Sequence, residues 1–221
     1  MWLVILVPVL GRPHRAAPLV ESLRRSGALD YRLLFLVSPG DDEERRACEE
    51  TGADVLEVPW EAGPGDYAKK INYGYRSTTE PWLFLGADDL CFCEGWDIAA
   101  LSMALDTGAG VVGTDDLFNP KVRKGEHSTH TFVRRSYIDD VGGAWDGPGF
   151  IYHEGYDHQY VDTELVEAAK RRGEWAFAHK SRVEHLHVFA GKSDTDSTYQ
   201  KALRAGEADR RLYRQREAMN R

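Results

Sequence analysis

The sequence has few cysteines, and this scarcity limits how the chain can be stabilised. Only Cys48, Cys91 and Cys93 occur among 221 residues, an odd number without the spacing of a disulfide framework. This predicts free thiols in a reducing, cytoplasmic compartment. Cys91 and Cys93 could supply half of a zinc site, but no second Cys/His pair follows at zinc-site spacing. A short extended segment with alternating side chains is the simpler interpretation.

A long apolar run is also missing. The most apolar stretch, residues 1–10, is too short to span a bilayer and lacks the basic start of a signal peptide. We therefore predict no transmembrane segment. The stretch is rich in Val, Ile and Leu, and Gly11 and Pro13 follow it, so it predicts a buried parallel strand.

Positive charge is in deficit. The formal net charge is −8, which disfavours a dedicated nucleic-acid binder because such proteins need a basic face. The exception is residues 201–221, with seven Lys/Arg and three Asp/Glu. This segment predicts an exposed helix, either with a solvated charged face or in contact with an anionic acceptor or membrane surface. Nucleic acid is therefore an open partner that the overall charge does not favour.

What the sequence does contain is an alternation of strand and helix patterns. Four apolar runs, at residues 2–7, 32–37, 54–58 and 82–85, alternate with helical patterns. This order predicts an α/β fold with a mainly parallel sheet flanked by helices, and ligands beyond the carboxyl ends of the strands. A hydrophobic fraction of 42% and six Trp supply enough apolar material for a core.

The pattern changes after residue 95 and suggests how the chain is organised. Further strands are predicted at residues 110–113, 174–177 and 182–188, with a helix at 163–172 between them. We predict a first half over 1–109, a smaller second half over 110–196 and a C-terminal basic helix over 197–221, all within one continuous domain.

An acidic pair follows the fourth predicted strand. Asp88 and Asp89 come directly after the small residues Gly86 and Ala87. Two adjacent carboxylates repel each other unless a cation or a donor lies between them. Carboxylates suit Mg²⁺ or Mn²⁺, and such an ion could bridge to a nucleotide diphosphate. A turn cap would use the same residues, so the pair alone leaves both interpretations open.

Residues 68–89 resemble the GT-A glycosyltransferases, especially their family 2. Lys70, Asn72 and Gly74 are spaced as in that family's Arg/Lys-x-Asn-x-Gly helix, and a strand and the acidic pair follow. The resemblance implies a GT-A, Rossmann-like fold and sugar transfer from a UDP- or GDP-linked, or other nucleotide-diphosphate, donor to an acceptor hydroxyl, with Mn²⁺ or Mg²⁺. Gly86 stands where many relatives have their first Asp, which keeps open a non-catalytic binding protein on a degenerate GT-A fold.

The same resemblance implies donor contacts, mostly in residues 1–109 as the nucleotide-sugar-binding half. Residues 7–13 look like the first-strand loop that lines the base, and Asp41 lies where the family has an acidic base-contacting turn. Asp88 would contact the ribose or the turn, and Lys192 either the pyrophosphate or only solvent. The implied donor-binding residues are Pro8, Val9, Arg12, Asp41, Lys70, Asn72, Asp88 and Lys192.

Residues 110–196 would form the acceptor and catalytic half. Gly142, Gly143 and residues 161–165 are similar to the family's acceptor-side region, in which a carboxylate at a helix start is the general base. Asp162 fits that position and Glu164 is the reserve. Acids in the first turn also suit a helix without any catalytic role. Inversion is the family's usual stereochemical outcome.

Two histidines complete the implied metal site. His185 and His187 are two apart in a predicted strand and therefore share a face. The resemblance makes Asp89 the metal ligand and adds a late histidine. The sequence His-Val-Phe, similar to the ligand segment of mucin-type GalNAc-transferases, favours His187 over His185.

The acceptor is not specified by these motifs. The aromatic residues between 145 and 156 suit a sugar-binding wall or a core equally. A compact chain with His-x-His and a basic C-terminal helix looks like bacteriophage transferases, for which the compartment is the host cytoplasm. Protein, small glycan, lipid or modified DNA then remain as acceptors. A nucleotidyltransferase is the other enzymatic alternative, although the loop after the first strand has a single Gly, Gly11.

Overall fold

The computed structural model describes residues 2–188, 191–192 and 197–220, with only the backbone described for 197–199 and 201–205. Phe189 of the His-Val-Phe motif lies outside the described residues. The strands are β1 (Leu3–Pro8), β2 (Tyr31–Val37), β3 (Asp54–Glu57), β4 (Trp82–Leu85), β5 (Leu90–Phe92), β6 (Val111–Asp115), β7 (Thr131–Arg134) and β8 (Trp175–His185). The helices are α1 (Ala16–Ser26), α2 (Asp42–Glu50), α3 (Asp66–Arg76), α4 (Trp96–Thr107), α5 (Pro120–Arg123), α6 (Arg135–Asp140), α7 (Val161–Arg171) and α8 (Ser197–Met219), with a 3₁₀ helix at Pro13–Arg15.

The eight strands form one sheet in the order β3-β2-β1-β4-β7-β6-β8-β5. The prediction of an α/β fold with helices around a largely parallel sheet is confirmed, since β1 pairs in parallel with β2 and β4, and β2 with β3. The sheet continues without a break from β4 into β7 and β6, which belong to the predicted second half. The predicted boundary at residue 109 therefore falls inside one sheet.

Strand β7 was not predicted, and its direction matters for the site. It lies antiparallel between β4 and β6. Because it runs opposite to β1, β2 and β4, the residues before β7 lie at the sheet edge where those strands end. This edge is the one at which ligands bind in open α/β sheets.

The last strand corrects the predicted pair at 174–177 and 182–188. β8 is a single strand from Trp175 to His185, parallel to β6, with a register shift after the pairing of Thr114 with Ala178. The shift inserts residues 179–181 before pairing resumes between Asp115 and Arg182. A break in alternation inside one strand looks like two strands in sequence, which explains the difference.

Apolar layers on both faces hold the sheet. Every residue of β1 is buried, and alternate side chains enter the two clusters: Ile5 faces α1 and α4, and Leu6 faces α3. Phe84 of β4 packs edge-on against Trp96 of α4, with ring centroids 4.7 Å apart. The continuous apolar run in β1 is thus explained by burial on both sides.

The C-terminal helix has an exposed, charged face, as its sequence suggests, but its opposite face is packed against the rest of the fold. Leu212 and Tyr213 of α8 pack against the apolar cluster on the face of the sheet that α3 covers. Arg216 is only 12% exposed and pairs with Glu164 and Asp146. Ion pairs with residues outside α8 therefore help to fix its position. The charge pattern along the helix sequence does not reveal such pairs.

The described helices include none whose length and apolar character would let it cross a bilayer.

Candidate active site

The acidic pair lies in a tight turn between β4 and β5 at the ligand-binding edge of the sheet. Asp88 and Asp89 are 8% and 4% exposed. Arg12 Nη1 lies 3.1 Å from Asp88 Oδ1, and Arg15 Nη1 lies 4.0 Å from Asp89 Oδ2. Both arginines come from the segment after β1, so the first loop of the fold neutralises part of the charge of the turn.

The charge of the acidic turn is not fully compensated. Burial, and next the neighbouring charge of Asp89, raise the pKa of Asp88 to about 7, although Arg12 and Arg15 act in the opposite direction. Burial disfavours a carboxylate and a like charge disfavours it further. A pair held in this way gains stability from an added cation.

His185, the residue that the motif comparison did not favour, contacts the acidic turn. Its Nε2 lies 3.3 Å from Asp89 Oδ2. The strand is fixed there because the Leu186 N–H donates to the Asp89 carbonyl at 2.8 Å and the His185 N–H donates to the Asp116 carbonyl at 3.1 Å. The His187 ring lies 4.9 Å from the His185 ring and stacks on Phe118 at 6.2 Å.

A third histidine, His130, reaches this cluster and was missed in the sequence. It precedes β7 and is 4% exposed, with Nδ1 3.1 Å from the Leu85 carbonyl oxygen and the ring 5.1 Å from His185. Burial, and next His185, lower the pKa of His130 to about 4, so the ring is neutral. Nδ1 then carries the proton, and Nε2 is a buried acceptor that has no hydrogen-bond partner among the described residues.

The predicted base lies at the start of α7. Asp162 is the second residue of α7. Tyr160, the residue before the helix, has a left-handed conformation with a φ of 70°. The Thr163 N–H donates to Asp162 Oδ1 at 2.7 Å, and His127 Nε2 lies 3.1 Å from Oδ2. Burial opposes ionisation of Asp162, but the charge and hydrogen bond of His127 outweigh it, so its pKa is below the usual value. Burial likewise disfavours the His127 imidazolium, but the charge and hydrogen bond of Asp162 outweigh burial. The pKa of His127 is therefore above its usual value.

Tyr67 is hydrogen-bonded to the segment that leads into the acidic turn, and its pKa responds to Asp162. Its hydroxyl donates to the Gly86 carbonyl at 3.1 Å, and its ring lies 5.9 Å from that of Tyr152. Burial, and next the charge of Asp162, raise the pKa of Tyr67 well above its usual range, and Asp89 adds to the shift. Both carboxylates therefore act on one side chain. The predicted metal-ligand and base positions thus both contribute to the electrostatic field at this tyrosine.

Several implied donor-binding residues lie behind the site and hold its loops. Lys70 is fully buried, and its Nζ donates to Asp66 Oδ2 and to the Val9 carbonyl, both at 2.8 Å. The Gly11 N–H donates to Asp41 at 2.9 Å, and the Arg12 N–H donates to the buried Glu44. Together they fix the loop that begins at Pro8 and carries Arg12 to the acidic turn.

Asn72 holds a loop of the second half. It is fully buried, donates to the Tyr152 carbonyl at 2.8 Å and accepts from the N–H groups of Ile151 and Tyr152 at 3.0 and 3.1 Å. Tyr152 and Tyr156 are each 1% exposed and belong to the core, whereas Phe150 is 39% exposed. For Tyr152 and Tyr156, of the two interpretations left open by the sequence, packing in the core is the one observed.

Glu164 and Lys192 are both engaged in ion pairs with other side chains. Glu164 is fully buried and accepts from Arg216, the Tyr156 hydroxyl and the Trp145 N–H. This saturation suits a structural carboxylate and not a base that must reach an acceptor. Lys192 Nζ pairs with Glu184.

Close backbone approach explains the two glycines of the acceptor-side motif. Gly142 has a φ of 80°, and a Cβ there would overlap the Gly147 carbonyl. A Cβ on Gly143 would overlap the Ile151 carbonyl in the same way. The pair therefore allows the aromatic loop to fold back against α6.

This sheet order, with a buried acidic turn after β4 and an opposing acid at a helix start, defines a GT-A glycosyltransferase fold. No protein-family model and no curated protein matches the sequence.

Solved structures do match. A mannosyltransferase from Pyrobaculum calidifontis, in complex with GDP-mannose and Mn²⁺, superposes with a TM-score of 0.66 at 12% identity, over 83% of this chain and 56% of that chain. TarS 1–349 from S. aureus superposes with a TM-score of 0.64 at 10% identity, over 90% of this chain and 68% of that chain. The third structure is glucosyl-3-phosphoglycerate synthase from Mycobacterium tuberculosis in complex with Mn²⁺, UDP-glucose and phosphoglyceric acid. It superposes with a TM-score of 0.56 at 15% identity, over 83% of this chain and 71% of that chain. The chain thus spans just over half of the mannosyltransferase's length, and the likeness establishes the fold.

Proposed function

We propose that this chain is a metal-dependent glycosyltransferase that moves a sugar from a nucleotide-diphosphate sugar to an acceptor hydroxyl. The observation that carries the proposal is the pairing of Asp89 with His185 and of Asp162 with His127, two carboxylates that both raise the pKa of Tyr67. A carboxylate–imidazole pair suits a cation, and a second carboxylate nearby suits a base. Solved GT-A neighbours with Mn²⁺ and nucleotide sugars support this interpretation.

The residues present fit a divalent cation. Asp88 and Asp89 are a buried acid pair, and His130 Nε2 is a buried acceptor that a cation or a donor-sugar hydroxyl would satisfy. Among the described residues, no three His, Cys, Asp or Glu side chains are grouped as one metal site. We therefore assign two protein ligands, Asp89 and His185, and leave the other positions to the donor diphosphate and water, as is usual for Mg²⁺ and similar ions. His187 remains the alternative imidazole.

The residues of this chain divide the reaction between them. When bound, the cation neutralises charge on the departing diphosphate. Arg12 and Arg15 add positive charge beside it. Asp162 accepts the proton of the acceptor hydroxyl while that oxygen bonds to the anomeric carbon and the bond from this carbon to the diphosphate breaks. A single displacement of this kind inverts the anomeric configuration.

The acceptor is proposed only as a hydroxyl compound. The net charge of −8 and the burial of Arg216 in ion pairs favour a protein or glycan over modified DNA.

Thermal unfolding with nucleoside diphosphates tests the proposal. We expect one diphosphate to raise the unfolding midpoint of the wild type only when Mn²⁺ is present. At a hundredfold excess over Kd, ligand binding adds about 2.7 kcal/mol to the free energy of unfolding. In Asp89→Ala the ligand-induced shift should disappear. The exposed Asp106 on α4 supplies the matched control, and Asp106→Ala should keep the whole shift.

Two outcomes would contradict the proposal. One is the absence of a shift with any nucleotide. The other is a shift that ignores both Mn²⁺ and Asp89, which would favour a non-catalytic binding protein on this fold.

The His127–Asp162 pair predicts a change in pH dependence. The His127 imidazolium lowers the pKa of Asp162, so His127→Gln should raise that pKa. The acidic limb of the pH profile of kcat/KM, where Asp162 loses its proton, should then move to higher pH. The measurement is release of nucleoside diphosphate from the donor across the pH range, with water as the acceptor. An acidic limb that stays in place in His127→Gln would show that the limb does not belong to Asp162.

A further inference from the structure

A carboxylate on the C-terminal helix holds the loop that leads to Asp162. Asp209 of α8 is 2% exposed. It accepts hydrogen bonds from three successive backbone N–H groups, those of Asp157 at 2.8 Å, His158 at 3.0 Å and Gln159 at 2.8 Å. Charged acceptors make stronger hydrogen bonds than neutral ones. The loop is therefore fastened by a residue about 50 positions further along the chain.

One face of α8 continues this contact into α7. Asp209, Tyr213 and Arg216 follow each other at helical spacing and lie on one face. Tyr213 stacks on Tyr160, with ring centroids 5.3 Å apart and 29° between planes. Arg216 Nη2 donates to Glu164 Oε1 at 2.7 Å. The three contacts bracket Asp162, which lies between Tyr160 and Glu164 in sequence.

The other side of the loop meets the first half of the fold. The Gly65 N–H donates to the Asp157 carbonyl at 3.1 Å. A Cβ on Gly65 would come within 2.6 Å of the Glu154 carbonyl oxygen, so the loop fits closely against the start of α3. That helix carries Tyr67. Asp209 thus acts at the junction between the element that bears the base and the element that bears Tyr67.

We propose that Asp209 is a positioning residue for glycosyl transfer: it holds loop 157–159 so that Asp162 faces the acidic turn. This inference rests on the proposed function. A general base works only within hydrogen-bond reach of the proton that it removes. A displacement of about 1 Å can lower a rate by about a hundredfold.

The test compares Asp209→Asn with a matched control on the same helix. Glu207→Gln removes a carboxylate that is 85% exposed and that, among the described side chains, forms an ion pair with Arg211 one turn away. We expect Asp209→Asn to lower kcat for donor hydrolysis by about 10- to 100-fold. Because the donor half is untouched, the Kd for the nucleoside diphosphate should stay within about twofold. Amide hydrogen exchange at residues 157–159 should accelerate in Asp209→Asn, and Glu207→Gln should match the wild type throughout.

A second variant provides an independent test of the positioning role if Asp209→Asn folds poorly. Tyr213→Leu removes the stacking on Tyr160 and retains apolar bulk, so a smaller fall in kcat with unchanged nucleotide affinity is expected. Faster exchange at 157–159 with an unchanged kcat would overturn the positioning role, as would equal losses of kcat and nucleotide affinity. Failure of the wild type to hydrolyse any nucleotide sugar would instead refute the proposed function.

Discussion

Asp162→Asn is expected to lower kcat by about 10²- to 10⁴-fold, the usual contribution of a general base, while the nucleoside diphosphate binds as before. The amide is nearly isosteric and can still accept from the Thr163 N–H, which donates to Asp162 Oδ1. The loss would therefore report the missing proton acceptor and not a disordered α7. The measurements are nucleoside diphosphate release at saturating donor and nucleotide affinity by titration calorimetry.

Two variants on the same helix serve as comparisons. Glu167→Gln removes a partly exposed carboxylate that pairs with Lys170 one turn away, and kcat should stay within about twofold because surface ion pairs contribute little. Glu164→Gln should chiefly reduce stability, since the Glu164 carboxylate is already occupied by Arg216, Tyr156 and Trp145. If Glu164→Gln lost kcat while retaining stability and Asp162→Asn did not, the base would be Glu164.

Arg216→Ala is expected to lower the free energy of unfolding by about 3–5 kcal/mol, because it leaves a fully buried carboxylate without its cation. Arg216 donates through both Nε and Nη2 to Glu164 and through Nη2 to Asp146. The Tyr156 hydroxyl and the Trp145 N–H would remain but carry no charge. Urea denaturation measures the effect, with the slope checked for two-state behaviour.

The matched control is Arg211→Ala on the same helix. Arg211 is 67% exposed, and its ion pair within the described part of the chain is the exposed one with Glu207, so its removal should change stability by no more than about 0.5 kcal/mol. The double variant Glu164→Leu with Arg216→Met should recover part of the loss, because replacing both partners removes the unpaired charge. Equal effects of Arg216→Ala and Arg211→Ala would mean that α8 is not anchored through Glu164.

The site itself was only partly predictable from the sequence. Asp88 and Asp89 could be placed at the ligand-binding edge because they follow a continuous apolar run, and such runs end at that edge. The structure brings Asp89 and His185 into contact, whereas the motif comparison favoured His187. Lys70 and Asn72 have the residue types and spacing of donor contacts, yet both are fully buried and hold loops. Residue type and spacing do not reveal burial.

His127 and His130 were missed for a topological reason. They precede β7, which lies in a polar, Gly-rich stretch where no strand was predicted. His127 meets Asp162 and His130 meets His185 because β7 is inserted antiparallel between β4 and β6. No local pattern specifies which strands become neighbours.

The sequence by itself determined the alternating strands and helices of the first half, the buried β1 and the acidic turn at the end of β4. These features follow from hydrophobic periodicity and turn residues, which act over a few positions. Only the tertiary structure decided which histidine meets Asp89, that the buried Glu164 pairs with Arg216 and that α8 packs against the loop before Asp162. Each of these depends on a contact between residues about 50 or more positions apart in sequence. The physical reason is that strand order and helix packing determine such contacts. The order and packing that are adopted depend on the whole chain, because buried charges must be paired and apolar faces must be covered.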